Sequence, residues 1–123
     1  MPQVFGPYEP IRKAGKTYFV SGQVGVDPKT KQAMATFTDQ MHQCMKNMVN
    51  ALSLEKLSLQ DVVNIRVYLV DMQRFNDMND IFINYFNGIG PSRECVGVAA
   101  LPDVGGNEPL QIEISAIAYK NNL

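Results

Sequence analysis

Apolar and polar positions follow two rhythms along this chain. From about Thr38 to Leu54, Met41, Cys44, Met45, Met48, Val49 and Leu52 recur at spacings of three and four, which predicts a helix with one apolar face. Thr36 or Thr38 can cap its start, and Asp39 suits the first turn. A second helix is predicted from about Met72 to Phe86, with Phe75, Met78, Phe82 and Phe86 on one side. Asn87-Gly88-Ile89-Gly90-Pro91 ends it. Elsewhere the period is two. Val62 to Val70 sets Ile65, Val67 and Leu69 against Arg66 and Tyr68, and Leu110 to Tyr119 sets Ile112, Ile114 and Ala116 on one face. Lys16 to Val26 is rich in β-branched and aromatic residues, and with the turn Asp27-Pro28-Lys29-Thr30-Lys31 it predicts a hairpin reaching about Ala35. Ser58 to Asp61 reads as a short capped turn, Glu94 to Leu101 as a buried strand, and Asp103 to Pro109 as a loop.

The predicted order is β-β-α-β-α-β-β, an α+β arrangement in which two helices cover one face of a mixed sheet. The other face would carry Tyr68, Glu113, Ser115, Ile117 and Tyr119, a mixture neither clearly solvated nor clearly core. Such a face suits packing against another subunit. The whole sequence, 1–123, is expected to form one domain, because 123 residues leave little room for a second.

Composition narrows the chemistry. Eleven basic and twelve acidic residues give a net charge of −1, without the positive excess that non-specific binding to nucleic acid or anionic membranes requires. No apolar run approaches the ~20 residues that span a bilayer, and no signal peptide is visible at Met1 to Pro10. Two distant cysteines, Cys44 and Cys95, fit a reducing compartment, so a cytoplasmic location is expected. With one histidine, His42, and two cysteines, two-histidine zinc motifs and structural zinc held by four cysteines or by two cysteines and two histidines are excluded by count. Phosphate-loop, dinucleotide and nucleophile-elbow motifs are absent.

Single residues remain as candidates. His42 reads as a solvated or partly covered helix residue, and Cys44 as core. Cys95 lies near Arg93, which would lower its pKa, although a small residue in a tight strand is the simpler reading. Arg93 follows the Gly90-Pro91-Ser92 loop, which can fix its planar fork toward a carboxylate; an ordinary ion-pairing arginine is the alternative. Glu113, between Ile112 and Ile114, would gain a raised pKa from partial burial and suit acid–base work; a surface glutamate is the alternative.

At these residues the chain resembles a known family. Pro91 to Ala118 (PSRECVGVAALPDVGGNEPLQIEISAIA) is similar to the C-terminal signature of the YjgF-like, or Rid (reactive intermediate deaminase), family. Gly6-Pro7-Tyr8, Ser21-Gly22-Gln23 with Asp27-Pro28-Lys29-Thr30, and the helix Phe75 to Phe86 with Asn79 resemble further family motifs in the same order. The resemblance implies an α+β fold of the bacillary chorismate-mutase type, packed as a homotrimer with ligand clefts between subunits. It implies hydrolysis of 2-imino acids, or their enamine tautomers, such as 2-iminobutanoate and 2-iminopropanoate, to 2-keto acids and ammonia, with no metal and no organic cofactor. By the same resemblance Arg93 would hold the substrate carboxylate and Glu113 would activate water. Tyr8 would line the cleft, Asn79 would fix the loop or ligand, and Cys95 would contribute wall. The chain departs from the family pattern at Glu9-Pro10, in a longer 103–109 loop, and at Ser115, where a second glutamate is common. A non-catalytic trimer binding keto or amino acids is the main alternative. RNA cleavage, reported for some members, and a holdase-like role are others.

Overall fold

A computed structural model describes residues 2–121. Its centre is a five-stranded mixed sheet in the order β1-β2-β7-β5-β6, formed by β1 (Ile11–Ala14), β2 (Thr17–Val24), β5 (Val62–Leu69), β6 (Ser92–Gly97) and β7 (Ile112–Tyr119). Neighbouring strands are antiparallel except β5 and β6, which are parallel. Helices α1 (Phe37–Ser53) and α2 (Phe75–Phe82) come before and after β5 in the chain. They share one apolar core with the sheet face that carries Ile65, Val67, Leu69, Ile112, Ile114 and Ala116. This is the predicted α+β mixed sheet with two helices on one face.

The helix predictions hold closely. Thr36 is the N-cap of α1, its Oγ1 accepting from Asp39 N at 3.1 Å. Met41, Cys44, Met45, Met48 and Leu52 are fully buried, whereas Val49 is exposed. The predicted second helix is segmented, with 3₁₀ turns at Met72–Arg74 and Ile83–Tyr85 on either side of α2. The Ser58 turn is a 3₁₀ segment with a capping box closed by Asp61.

Three strand expectations change. β2 lies between β7 and a short strand β1, which the periodicity does not predict; Gly15, at φ +63°, supplies the left-handed turn between β1 and β2. The Asp27–Lys31 turn does close a hairpin, but only between β3 (Val26–Asp27) and β4 (Gln32–Ala33), as a separate ladder. Finally, β6 is not a buried strand. It is an edge strand, running Ser92–Gly97, with Glu94 and Val96 exposed and Arg93 and Cys95 half-buried beneath α2. Small apolar residues fit an edge that another surface covers as well as they fit a core.

Gln40 ties the loops to this frame. It is fully buried, its Nε2 donates to Met34 O and Pro109 O at 3.0 Å each, and its Oε1 accepts from Gln111 N at 2.8 Å. One buried side chain thereby holds three backbone groups from two segments.

Candidate functional site

The helix-free face of the sheet carries an open cleft of about 920 Å³. Its centre is Glu113 on the middle strand β7, level with Tyr68 on β5. On the other side, β2 contains a bulge: Val20 pairs with Ala116 and Gln23 with Ile114, so three steps on β2 match two on β7. Ser21 and Gly22 occupy the bulge. A Cβ on Gly22 would lie 2.6 Å from Glu113 Oε2 and 2.7 Å from its Cδ, so the carboxylate lies on the bare backbone of Gly22. Partial burial pushes the Glu113 carboxyl above the ordinary glutamate value.

The bulge also anchors the mouth. Ser21 Oγ donates to Glu9 O at 2.6 Å, and Ser21 N donates to Pro10 O at 3.0 Å. These bonds hold the 6–9 segment over the cleft, which the exposed Tyr8 lines. The Tyr8 hydroxyl accepts from Phe5 N at 3.2 Å, closing the segment on itself.

Arg93 and its neighbours lie elsewhere. In register, Arg93 sits beside Ile65 and Cys95 beside Val67, both core residues, so they face the helices. The Arg93 guanidinium lies over the Phe82 ring at 4.9 Å and near Phe75 at 5.7 Å, with Nη1 3.5 Å from Met78 Sδ. It has no carboxylate partner among the described residues. Asn79 is half-buried on α2, one turn after Phe75 and one before Phe82. The Cys95 thiol is pushed up by burial, with Arg93 opposing as the smaller effect, so the expected lowering by Arg93 does not prevail.

The structure therefore brings Tyr8 and Glu113 into one cleft and gathers Arg93, Cys95 and Asn79 at the β6 edge beneath or beside α2. Glu113 and Arg93 stand two strands apart, roughly 10 Å across the sheet and roughly 10 Å along it, on opposite faces. One chain alone does not unite them.

Sequence reasoning missed three contributors. Gly22 and Ser21 appear in the sequence only as a motif, since their roles depend on the bulge. Arg66, level with Ser115 and lining the Glu113 cleft, was legible only as an outward strand residue. Of the remaining titratable residues, His42 is half-covered, with Nδ1 hydrogen-bonded to the Tyr85 hydroxyl, and burial raises the pKa of Tyr85. Cys44 is fully buried, which pushes its thiol far up and makes it inert. No helix among the described residues is long and apolar enough to cross a membrane.

The model of the family described as endoribonuclease L-PSP matches residues 1–120. A RutC family protein of Pyrococcus horikoshii is 39% identical over 97% of this chain and 91% of its own. The mouse protein named 2-iminobutanoate/2-iminopropanoate deaminase is 35% identical over 97% of this chain and 85% of its own. Among solved structures, E. coli TdcF with bound serine superposes with a TM-score of 0.88 at 30% identity, covering 98% of this chain and 92% of that one. The chain belongs to the endoribonuclease L-PSP family, which is the YjgF/Rid family that its motifs resemble.

Proposed function

We propose that this chain is a hydrolytic deaminase of 2-imino acids and their enamine tautomers, acting as a homotrimer whose clefts form between copies. The observation that carries this reading is Glu113, half-buried on Gly22 with its carboxyl raised toward the range useful for proton transfer. The mouse relative's name supplies the reaction, and the serine bound to TdcF supports a small amino-acid-like ligand.

In this reading Arg93 of one copy grips the substrate carboxylate with its fork, and Glu113 of the next accepts a proton from water. The water oxygen adds to the imine carbon, and protons pass to nitrogen. The C–N bond then breaks to release ammonia and leave the keto acid. Nothing is oxidised or reduced. Imines hydrolyse unaided in water, so orientation and one positioned base supply enough. Tyr8 walls the cleft, and Asn79 and Cys95 support Arg93. The separation of Arg93 from Glu113 within one chain supports the shared cleft, because a second copy could bring the β6 edge to the open sheet face. One domain, a cytoplasmic location and no nucleic-acid or membrane partner complete the reading, in keeping with the net charge of −1.

The test is keto-acid release from 2-iminobutanoate generated in situ by an amino acid oxidase. Acceleration by wild type that is lost in both Arg93→Ala and Glu113→Gln upholds the reading. No acceleration by wild type, with retained binding of 2-oxobutanoate, replaces it with the second reading, a non-catalytic binding trimer, which TdcF with bound serine favours.

A further inference from the structure

Arg66 is the unexplained charge of the cleft. It projects from β5 on the Glu113 face, level with Ser115 on one side and Glu94 on the other. Its Nε is buried without a hydrogen-bond partner, and its guanidinium makes no ion pair with Glu113 or Glu94. Ser115 is neutral and supplies no compensating charge. A guanidinium whose buried donor lacks an acceptor is costly, and covering this sheet face with another copy would raise the cost. The position calls for an anion. Arg12 also lines the cleft, but it is exposed and so screened by water.

Spacing says what kind. Arg66 and Glu113 are diagonal neighbours on adjacent strands, roughly 7–8 Å apart at the backbone. A group between them is within reach of both side chains. A substrate whose imine carbon sits at Glu113 would place a side-chain carboxylate, two or three carbons further on, at the Arg66 fork. We infer that Arg66 is a specificity-determining residue that selects 2-imino acids bearing a second carboxylate on the side chain. This rests on the proposed site, with Arg93 of a neighbouring copy taking the first carboxylate.

The test uses the intact assembled protein and the keto-acid products as probes: 2-oxoglutarate with two carboxylates and 2-oxobutanoate with one. Wild type is expected to bind 2-oxoglutarate roughly 10- to 100-fold more tightly, the range of a charge-assisted contact. In Arg66→Leu that ratio falls to near one. Arg66→Lys keeps the charge without the fork, gives an intermediate ratio, and serves if the leucine variant does not fold. Equal binding of the two acids by wild type overturns the inference. So does a preference that both variants retain, which with weakened assembly would make Arg66 an ion-pair partner for another copy. Arg66-dependent preference in a protein that hydrolyses no imine upholds this inference and removes the deaminase reading. Hydrolysis of 2-iminobutanoate without any such preference does the reverse.

Discussion

Glu113 lies so close over Gly22 that a single added carbon would fall 2.6 Å from its Oε2. The atoms in the way belong to a flexible side chain, and the backbone of Gly22 is not in the left-handed region, so alanine can be accommodated by displacing the carboxylate. Gly22→Ala is therefore expected to keep stability within about 1 kcal/mol of wild type. Under the proposed function, imine hydrolysis should fall on the order of 100-fold, the usual consequence of misplacing a catalytic group by about 1 Å. Thermal melts and kcat/KM measured side by side decide it. Full activity would mean that the position of Glu113 is not what matters.

Arg93 and Glu113 face opposite sides of one sheet, and this makes complementation informative. Arg93→Ala and Glu113→Gln subunits, each inactive alone, are expected to recover about a quarter of wild-type activity when mixed, unfolded and reassembled one to one. That is the share of clefts pairing an intact arginine from one copy with an intact glutamate from the next. No recovery by a mixed assembly of the same size as wild type would place both residues' work within one chain.

The raised carboxyl of Glu113 also shapes the pH dependence of stability. Because its folded-state pKa lies above the unfolded value, the native state binds the proton more tightly through that window. This contribution favours folding at the acid end and is lost as pH rises through the folded pKa. Glu113→Gln cannot ionise, so its stability relative to wild type should increase with pH across that window and level off above it. Urea unfolding at several pH values reads this directly. A difference independent of pH would show that burial does not perturb the group.

Gln40 offers a prediction about the frame. Gln40→Leu keeps the volume but strands Gln111 N–H and the carbonyls of Met34 and Pro109, and a loss of about 3 kcal/mol is expected. The nearby Gly25→Ala should cost at least as much, because its Cβ would meet Gln40 Cα at 2.6 Å and Gln40 O at 2.7 Å. Unlike Glu113 over Gly22, this obstacle includes backbone and cannot swing aside. Denaturation midpoints at unchanged m-value measure both.

These contrasts mark what a linear reading can reach. Both helices and strands β5 and β7 were legible because their apolar residues repeat with a fixed period and are buried by this chain itself. Strand β1 was not, since Ile11-Arg12-Lys13-Ala14 is a short edge segment with one buried residue. The exposure of β6 was hidden because Cys95, Val96 and Val98 give the same pattern under a helix, under another copy or on an edge. Cys95, Arg93 and Glu113 stood out as single residues and gained roles, with Tyr8 and Asn79, through a resemblance, but their division between two faces needed strand order. Gly22 and Arg66 needed register: one step on β2 puts the glycine under the carboxylate, and one cross-strand pairing sets the arginine beside Ser115.

The position of β7 reaches beyond the site. The last strand along the chain is the middle strand of the sheet, bonded to β2 on one side and β5 on the other. During synthesis the two halves it joins emerge first, β1-β2 and β5-β6, each with an open edge and half a core. Closure waits until Tyr119 has cleared the ribosome, about a hundred residues after β2 was made. A nascent chain stalled before Leu110 is expected to be degraded by added protease at rates typical of unfolded chains. The finished protein should become resistant in a single step, so the same strand that carries Glu113 into the cleft also times the birth of the fold.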